Sequence, residues 1–378
     1  MFIYFYESYK AFNTSAVSFV TETTYLNWNT SFPAISICEI KGADVEYDET
    51  EDESGIEEFI HDVVYFTGDC YSCSRDCQPC EALNFTAEVL KRRKPCNSLF
   101  RICKWNDIEF DCCEKFLPLE TEYGICYSLN SLHTRQTSNS YIDLVSNRKN
   151  GAGGLYFQTV NDVRMYIHAT EDVPFINADP DFGKDILVGE SSKILFNIIE
   201  IENDENVETI PIEQRGCRYA WEVPSSLKVH RFYSYSSCVV QCRAEAQREL
   251  CGCTHHHMPL YNREGYCNIQ GLKCLTDQTA TLNALHAAGF EKPGLVCDCV
   301  PSCNEPEYEI VSETRGPHPT NSEVSIKLQS LPTQRLKRIV TRTTMDLVVS
   351  FGGTAGLFIG ASLLSIVEAV YLLFLRKL

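Results

Sequence analysis

The chain has 378 residues, 33 Lys+Arg against 51 Asp+Glu, and 20 cysteines. A net charge of −18 speaks against a nucleic-acid partner, because a phosphate backbone needs a basic face. Twenty cysteines are too many for idle thiols in a reducing cytosol, so a disulfide-stapled extracellular body is expected, with a metal-rich intracellular protein as the competitor.

Met1-Phe-Ile-Tyr-Phe-Tyr6 is too short for the apolar core of a signal peptide and has no basic residue before it. Residues 1–12 are therefore expected to be the outer end of a transmembrane helix whose beginning is missing. Sequons at Asn13, Asn29 and Asn84 mark candidate glycosylation sites on an outward-facing body. Ser31 to Cys38 alternates in strand fashion and ends in a cysteine. Residues 39–58 hold ten acids and one lysine, a solvated loop that could also concentrate cations.

Residues 70–113 form a compact cysteine-rich insert. Its Cys70-x2-Cys73-x3-Cys77-x2-Cys80 spacing would suit zinc in a cytosolic protein, but outside a cell disulfides are preferred. Adjacent Cys112 and Cys113 bond each other only under strain, so each is expected to pair elsewhere. Between Cys126 and Cys217 the chain is free of cysteine, and Gly154–Val160 and Ile194–Ile201 read as antiparallel strands. Tyr233–Cys253 has helical spacing, with Cys238 and Cys242 one turn apart on one face. Cys251-Gly-Cys253-Thr-His255-His256-His257 invites a metal reading. Consecutive side chains cannot all point at one ion, so a disulfide-anchored loop is preferred. Tyr308–Ser312 is again strand-like. No Gly-rich phosphate loop, nucleophile elbow or catalytic dyad is present, so neither an enzyme nor a cofactor is expected.

From Leu347 to Leu375 the only formally charged residue is Glu368. As a helix these 29 residues span roughly 43 Å against a hydrocarbon core of about 30 Å. Such a segment crosses a bilayer with length to spare, so it tilts, breaks or extends beyond the lipid. Arg376 and Lys377 close it as a cytoplasmic stop, and every cysteine precedes it. Arg335, Lys337, Arg338 and Arg342 at the outer end run against the positive-inside rule, which weakens after a long loop. Gly352, Gly356 and Gly360 share one face and permit close backbone approach; helix dimerisation is one reading and a pore the other. Ser365 and Glu368 point the same way, and a carboxylate in lipid normally faces a bundle interior or water. Small residues with reachable carbonyls above an acid suit a small monovalent cation, which favours the pore.

These motifs resemble the degenerin/epithelial sodium channel family over nearly the whole chain. Phe32-Pro-Ala-Ile-Ser-Ile-Cys38 is similar to the signature that follows the first span. Tyr123-Gly-Ile-Cys126-Tyr resembles the G-x-C-Y element, with Leu129-Asn130 where the family usually has Phe-Asn. Tyr233-Ser234-x3-Cys238-x3-Cys242-x8-Cys251-Gly-Cys253 and Cys297-Asp-Cys299-Val-Pro-Ser-Cys303 are similar to its cysteine-rich half. Phe351 to Glu368 is very close to the second-span signature. Thr254-His-His-His-Met-Pro259 and the extra cysteine insert look most like the insect pickpocket branch.

The resemblance implies a membrane protein with an α+β disulfide-rich ectodomain, an antiparallel β core with peripheral helices, set between two transmembrane helices of which the first is incomplete here. Residues 13–344 would be extracellular, with a helical disulfide-rich region at 217–303. Residues 345–375 would be the second, pore-lining helix and 376–378 the cytoplasmic end. It implies a homo- or hetero-trimer with related channel subunits in the plasma membrane, passing sodium, or cations more broadly, under ligand or mechanical gating. Gly360, Ala361 and Ser362 would form the selectivity filter, with Ser365 and Glu368 lining the pore below. Val349 would fall at the gating position and Gly356 at the amiloride position.

The implied bridges are Cys38–Cys126, Cys217–Cys303, Cys238–Cys299, Cys242–Cys297, Cys251–Cys274 and Cys253–Cys267, with Cys103 joined to Cys112 or Cys113. Cys70, Cys73, Cys77, Cys80 and Cys96, with whichever of the adjacent pair is left over, have no bridge in that pattern and are expected to form three more. The cytoplasmic His-Gly gating motif is absent from this chain. The alternative is a single-pass cysteine-rich receptor or adhesion protein that dimerises through its glycine-rich helix.

Overall fold

The computed structural model describes residues 2–14, 16–41, 55–75, 78–134, 144–259, 265–287, 289, 292–360 and 363–372. Most of the acidic 39–58 run, Cys77, Ala361, Ser362, Arg376 and Lys377 lie outside them. The chain divides into one unit of Met1–Thr24, Glu200–Cys217 and Thr333–Leu378, and a larger one of Tyr25–Ile199 and Arg218–Pro332.

In the larger unit a five-stranded sheet runs in the order Gly183–Ile186, Val163–His168, Ala34–Glu39, Gly124–Leu129, Leu117–Thr121. A six-stranded sheet runs Glu307–Pro317, Glu190–Ile199, Ser322–Leu328, Gly154–Thr159, Phe100–Trp105, Ile108–Phe110. Their apolar faces meet in one core that includes Ile35, Ile37, Phe157, Met165, Phe196 and Ile326. Phe32 sits at its centre, edge-on to Trp105 at 4.8 Å and to Phe196 at 5.4 Å. The Ala34–Glu39 strand is buried at all six positions, although its sequence alternates. As the middle strand it is covered on both faces: Ile35 and Ile37 enter the core, while Ser36 bonds Ser128 at 2.8 Å and Cys38 bridges Cys126. Asn130, at φ +60°, donates its amide to the Phe32 carbonyl at 2.5 Å, so the two motifs flanking this sheet hold each other.

The 154–159 strand and the 190–199 strand lie in the segments expected to be strands, but their pairing is not purely antiparallel. Glu190–Ile199 pairs in parallel with Ser322–Leu328, and in the smaller unit Ile201–Asn203 pairs in parallel with Arg335–Val340. Side-chain periodicity is the same for both orientations; hydrogen-bond slant is what differs. The Tyr235–Cys251 helix starts on a Ser234–Ser237 capping box and stops at Gly252 in the left-handed region, as helix ends favour. Its Arg243 is fully buried, held by Glu122 and Asn177 and donating Nε–H to the Leu282 carbonyl at 3.0 Å. Removing either ion-pair partner would leave a bare buried charge, a defect of several kcal/mol.

Bridges join Cys38–Cys126, Cys70–Cys73, Cys96–Cys113, Cys103–Cys112, Cys238–Cys299, Cys242–Cys297, Cys251–Cys274 and Cys253–Cys267. Cys80, Cys217 and Cys303 are also disulfide-bonded, and no cysteine is free among the described residues. Cys112 and Cys113 each turn to a different partner, and Cys238 and Cys242 clamp one face of their helix to Cys299 and Cys297.

In the smaller unit Val17–Glu22, Arg335–Val340 and Ile201–Asn203 form a three-stranded sheet in that order. It is preceded by the Phe2–Thr14 helix and followed by helices at Thr344–Ile359 and Leu363–Val370.

Cys38–Cys126 closes a separation of 88 residues, for which chain entropy alone predicts roughly 4–5 kcal/mol. Replacing both cysteines by alanine is expected to lower unfolding stability by about 2–5 kcal/mol, measured as a lower denaturant midpoint with a steeper slope, because the uncrosslinked unfolded chain exposes more surface.

Candidate functional site

The helices flanking the three-stranded sheet are brought together by it. Val17 to Glu22 lies antiparallel to Val340 to Arg335, and the backbone N–H groups of Thr341 and Arg342 both donate to the Ala16 carbonyl, at 2.9 and 3.3 Å. The chain enters this strand pair from the first helix and leaves it into the Thr344–Ile359 helix, so the two helices run side by side in opposite directions. Contacts follow that register: Ser8 and Ser350 hydroxyls at 3.0 Å, Phe5 edge-on to Phe351 at 5.0 Å, and Tyr4 against Phe358 at 5.6 Å.

Two basic residues that seemed to contradict the topology have local work here. Arg335 bonds the carboxylates of Glu200 and Glu202 at 2.7 and 2.9 Å. Arg338 is buried, donates to Asn203 and to the Cys217 sulfur at 2.9 and 2.8 Å, and lies over the Phe19 ring at 4.8 Å. Arg335 is thus paired with two cross-strand carboxylates, and Arg338 is spent on an amide, a sulfur and a ring face, so both have structural roles at this end. A guanidinium fork suits both tasks, as lysine would not.

The Leu347–Leu375 stretch is not one helix. A Thr343–Asp346 capping box starts it, and it stops after Ile359 at Gly360, whose φ of +67° is left-handed and whose N–H donates to the Gly356 carbonyl at 3.0 Å. A second helix runs Leu363–Val370. Among the described residues no helix is long and apolar enough to cross a membrane; the 16-residue piece is about 24 Å long. A non-glycine residue would resist the Gly360 geometry, which is why the break falls at the first residue of Gly360-Ala361-Ser362. Ala361 and Ser362 lie outside the described residues. The other expected residues are placed as follows. Val349 is 66% exposed while its neighbours Ser350 and Phe351 touch the first helix. Gly356, Ser365 and Glu368 are exposed. A Cβ added at Gly352, Gly353 or Gly360 would meet nothing within 4 Å.

The sequons are all on hydrogen-bonded asparagines. Asn84 is exposed and caps the Phe85–Arg92 helix, Asn29 is exposed and accepts from Asn147 at 2.9 Å, and Asn13 accepts from Gln214 at 3.2 Å within the last turn of the first helix. The histidine triplet ties down a helix end. His256 and His257 donate Nε2–H to the Val63 and Val64 carbonyls at 2.8 and 3.1 Å, at the C-terminus of the Ile56–Val64 helix, where carbonyls have no partner inside the helix and Arg93 also donates to Val64. His255 Nδ1 accepts from the His257 backbone at 3.3 Å. Among the described residues no group of three or more His, Cys, Asp or Glu could hold a metal ion.

A family model described as amiloride-sensitive sodium channel matches residues 1–372. Pickpocket protein 11 of Drosophila melanogaster is 23% identical over 288 residues, covering 72% of this chain and 53% of that protein. Sodium channel protein Nach of Drosophila virilis is 24% identical over 308 residues, 75% of this chain and 77% of that one. Degenerin del-1 of Caenorhabditis elegans is 23% identical over 308 residues, 73% and 44%. The matched stretch thus spans about half of the first and third of these relatives. The chain belongs to the amiloride-sensitive sodium channel family, the degenerin/epithelial sodium channel group of membrane proteins, and carries that family's disulfide-rich, β-rich ectodomain.

The motifs did not disclose the cross-strand role of Arg335 and Arg338 or the buried Arg243. For Arg335 the signal was available: a basic residue on a strand facing Glu200 and Glu202 finds acidic partners there. Arg243 sits in Arg-Ala-Glu-Ala-Gln, which reads as a solvated helix face.

Six histidines, four of them buried and two (His133 and His168) half-buried, set a pH dependence. Burial lowers His133, His168 and His256 to about 4 and His230, His255 and His257 well below the usual histidine value. Each binds a proton more readily unfolded than folded, so its contribution is whole above about pH 6.5 and is lost as pH falls towards 4 and below. Asp172, raised by burial, acts in the opposite sense but is a single group. The melting temperature is expected to fall steadily between pH 6.5 and 4; a flat profile in a thermal melt series would show that water reaches these rings.

Proposed function

We propose that the chain is one subunit of a sodium-selective, amiloride-sensitive cation channel of the plasma membrane, assembled as a trimer of identical or related subunits and opened by a ligand or by mechanical force. Residues 13–344 are its extracellular body and 345–375 its pore-lining segment, with residues 1–12 at the outer end of the first span. Transport is passive and needs no cofactor. Cations leave water at an acidic ectodomain, pass Gly360, Ala361 and Ser362, and move by Ser365 and Glu368 towards the cytoplasm. Glycans sit on Asn29 and Asn84, and on Asn13 where its helix end allows.

The observation that supports this most is the helix break at Gly360. A helix end inside an apolar stretch has last-turn carbonyls that need partners from outside the helix. In hydrocarbon each one left bare costs several kcal/mol, so irregular backbone at membrane depth is tolerated only against protein or a water-filled cavity. Carbonyls gathered around an axis by three copies would meet that need and coordinate a partly dehydrated cation. Exposed Val349, Leu357, Leu364 and Val367 and the open space over Gly352 and Gly353 fit a surface that lipid and neighbouring subunits cover. A two-chain receptor seam gives no role to the break or to Glu368.

Gating is assigned to the strand pair that holds both helices. A shift of the Arg335–Val340 strand would move the helix bearing Val349, with Gly356 one to two turns further along as the blocker position. In the complete protein, Ser362→Cys is expected to change the sodium-to-potassium permeability ratio or to render the current sensitive to thiol reagents. Unaltered selectivity together with no reagent effect removes the filter assignment. Val349→Trp is expected to raise resting open probability several-fold in single-channel records, and an unchanged value would displace the gate from this residue.

A further inference from the structure

The larger unit holds a cavity that nothing above uses. It has a volume of about 90 Å³ and lies between the Phe85–Arg92 helix, the Gly124–Leu129 strand and the loop carrying His256, His257 and Met258. Val89, Leu90, Ile125 and Met258 give it apolar walls.

Its polar character comes from the floor. The Val64 carbonyl, which also takes Arg93 Nε–H and Nη2–H at 3.1 and 2.8 Å, can only accept, so His257 Nε2 at 3.1 Å is placed as a donor carrying the ring proton. Burial first, then the neighbouring His256 and Arg93, keep the ring neutral. Nδ1 is therefore a lone pair. It lies on the Gly124 side of the ring, 2.9 Å from where a Cβ of residue 124 would stand, and Gly124 and His257 both line the cavity. A ligand must bring the donor.

Charge near the cavity is balanced. The Arg93 guanidinium carbon is 3.4 Å from the same Cβ position behind the floor, and the exposed Glu120 carboxylate stands at the rim. An ammonium meets the first and a carboxylate meets the second, so neither sign is favoured.

We infer that this cavity binds a short uncharged alcohol, its alkyl chain between Val89 and Met258 and its hydroxyl donating to His257 Nδ1. The size follows from the volume: an apolar cavity of about 150 Å³ takes benzene, so this one takes about four heavy atoms. So few atoms confer binding only in the millimolar range. The site lies within one unit, and its occupancy is independent of whether the chain conducts.

The chain supplies its own reporter, because it has four methionines, Met1, Met165, Met258 and Met345. With the complete protein in lipid nanodiscs and carbon-13 on the methionine methyls, 1-propanol is titrated against propylammonium and propionate at equal concentration. A saturable shift of the Met258 resonance with propanol is expected, with Met165, fully buried between the sheets, unmoved. The charged analogues are expected to give no saturable shift. Ile125→Phe, which fills the cavity from a half-buried strand position, is expected to abolish the response while the Met165 resonance keeps its place. Should that variant disturb Met165, Leu90→Trp at an exposed position closes the mouth instead. No shift, a shift linear in concentration or shared with Met345, an equal response to either charged analogue, or a response that survives in both variants overturns the site.

Discussion

A helix that stops inside an apolar stretch has carbonyls that hydrocarbon cannot satisfy. That constraint governs everything read from the last part of this chain. Gly360, at φ +67°, ends the Thr344–Ile359 helix where a continuous helix would have kept every backbone group internally bonded. In lipid, such an end would need water, ions or other chains as partners. Glycine is the residue that permits it, since the left-handed region costs other residues on the order of 1 kcal/mol.

The next level is the way two chain-distant helices are held. Phe2–Thr14 and Thr344–Ile359 are more than 300 positions apart in sequence, yet the antiparallel pairing of Val17–Glu22 with Val340–Arg335 delivers them as neighbours. Arg335 and Arg338 lock the third strand onto that pair through Glu200, Glu202 and Asn203. Arg335 is largely withdrawn from water, so removing a glutamate partner would leave a poorly solvated charge, whereas Arg338 meets an amide. The sheet is a short, stiff link whose displacement both helices would feel.

In the larger unit, bridges and buried polar groups supplement the core between the two sheets. Disulfides clamp the Tyr235–Cys251 helix at Cys238, Cys242 and Cys251, and Arg243 anchors its inner face through Glu122. The histidines belong to the same design. His256 and His257 close a helix C-terminus with N–H donors, and His168 bonds Ser36 at 2.7 Å beneath the central strand. Held neutral by burial, they perform a structural task that their clustering in the sequence disguises as metal chemistry.

The sequence by itself determined the class of the chain. Cysteine number, the order of sequons and bridges before an apolar segment, and a glycine-rich stretch ending in Glu368 depend on composition and local spacing, which any reader of the string can see. It also indicated the strands near residues 154–160 and 194–201 and the helix after Tyr233, because turn chemistry and apolar period are local. Strand orientation was decided only by tertiary structure: a parallel and an antiparallel partner present the same alternation, so the pairing of Glu190–Ile199 with Ser322–Leu328 could not be foreseen. The same holds for the full burial of Ala34–Glu39, the partners of Arg243, Arg335 and Arg338, and the lone pair of His257 Nδ1. Each rests on groups far apart in the chain, and the side chain's meaning is set by the neighbour that folding brings to it.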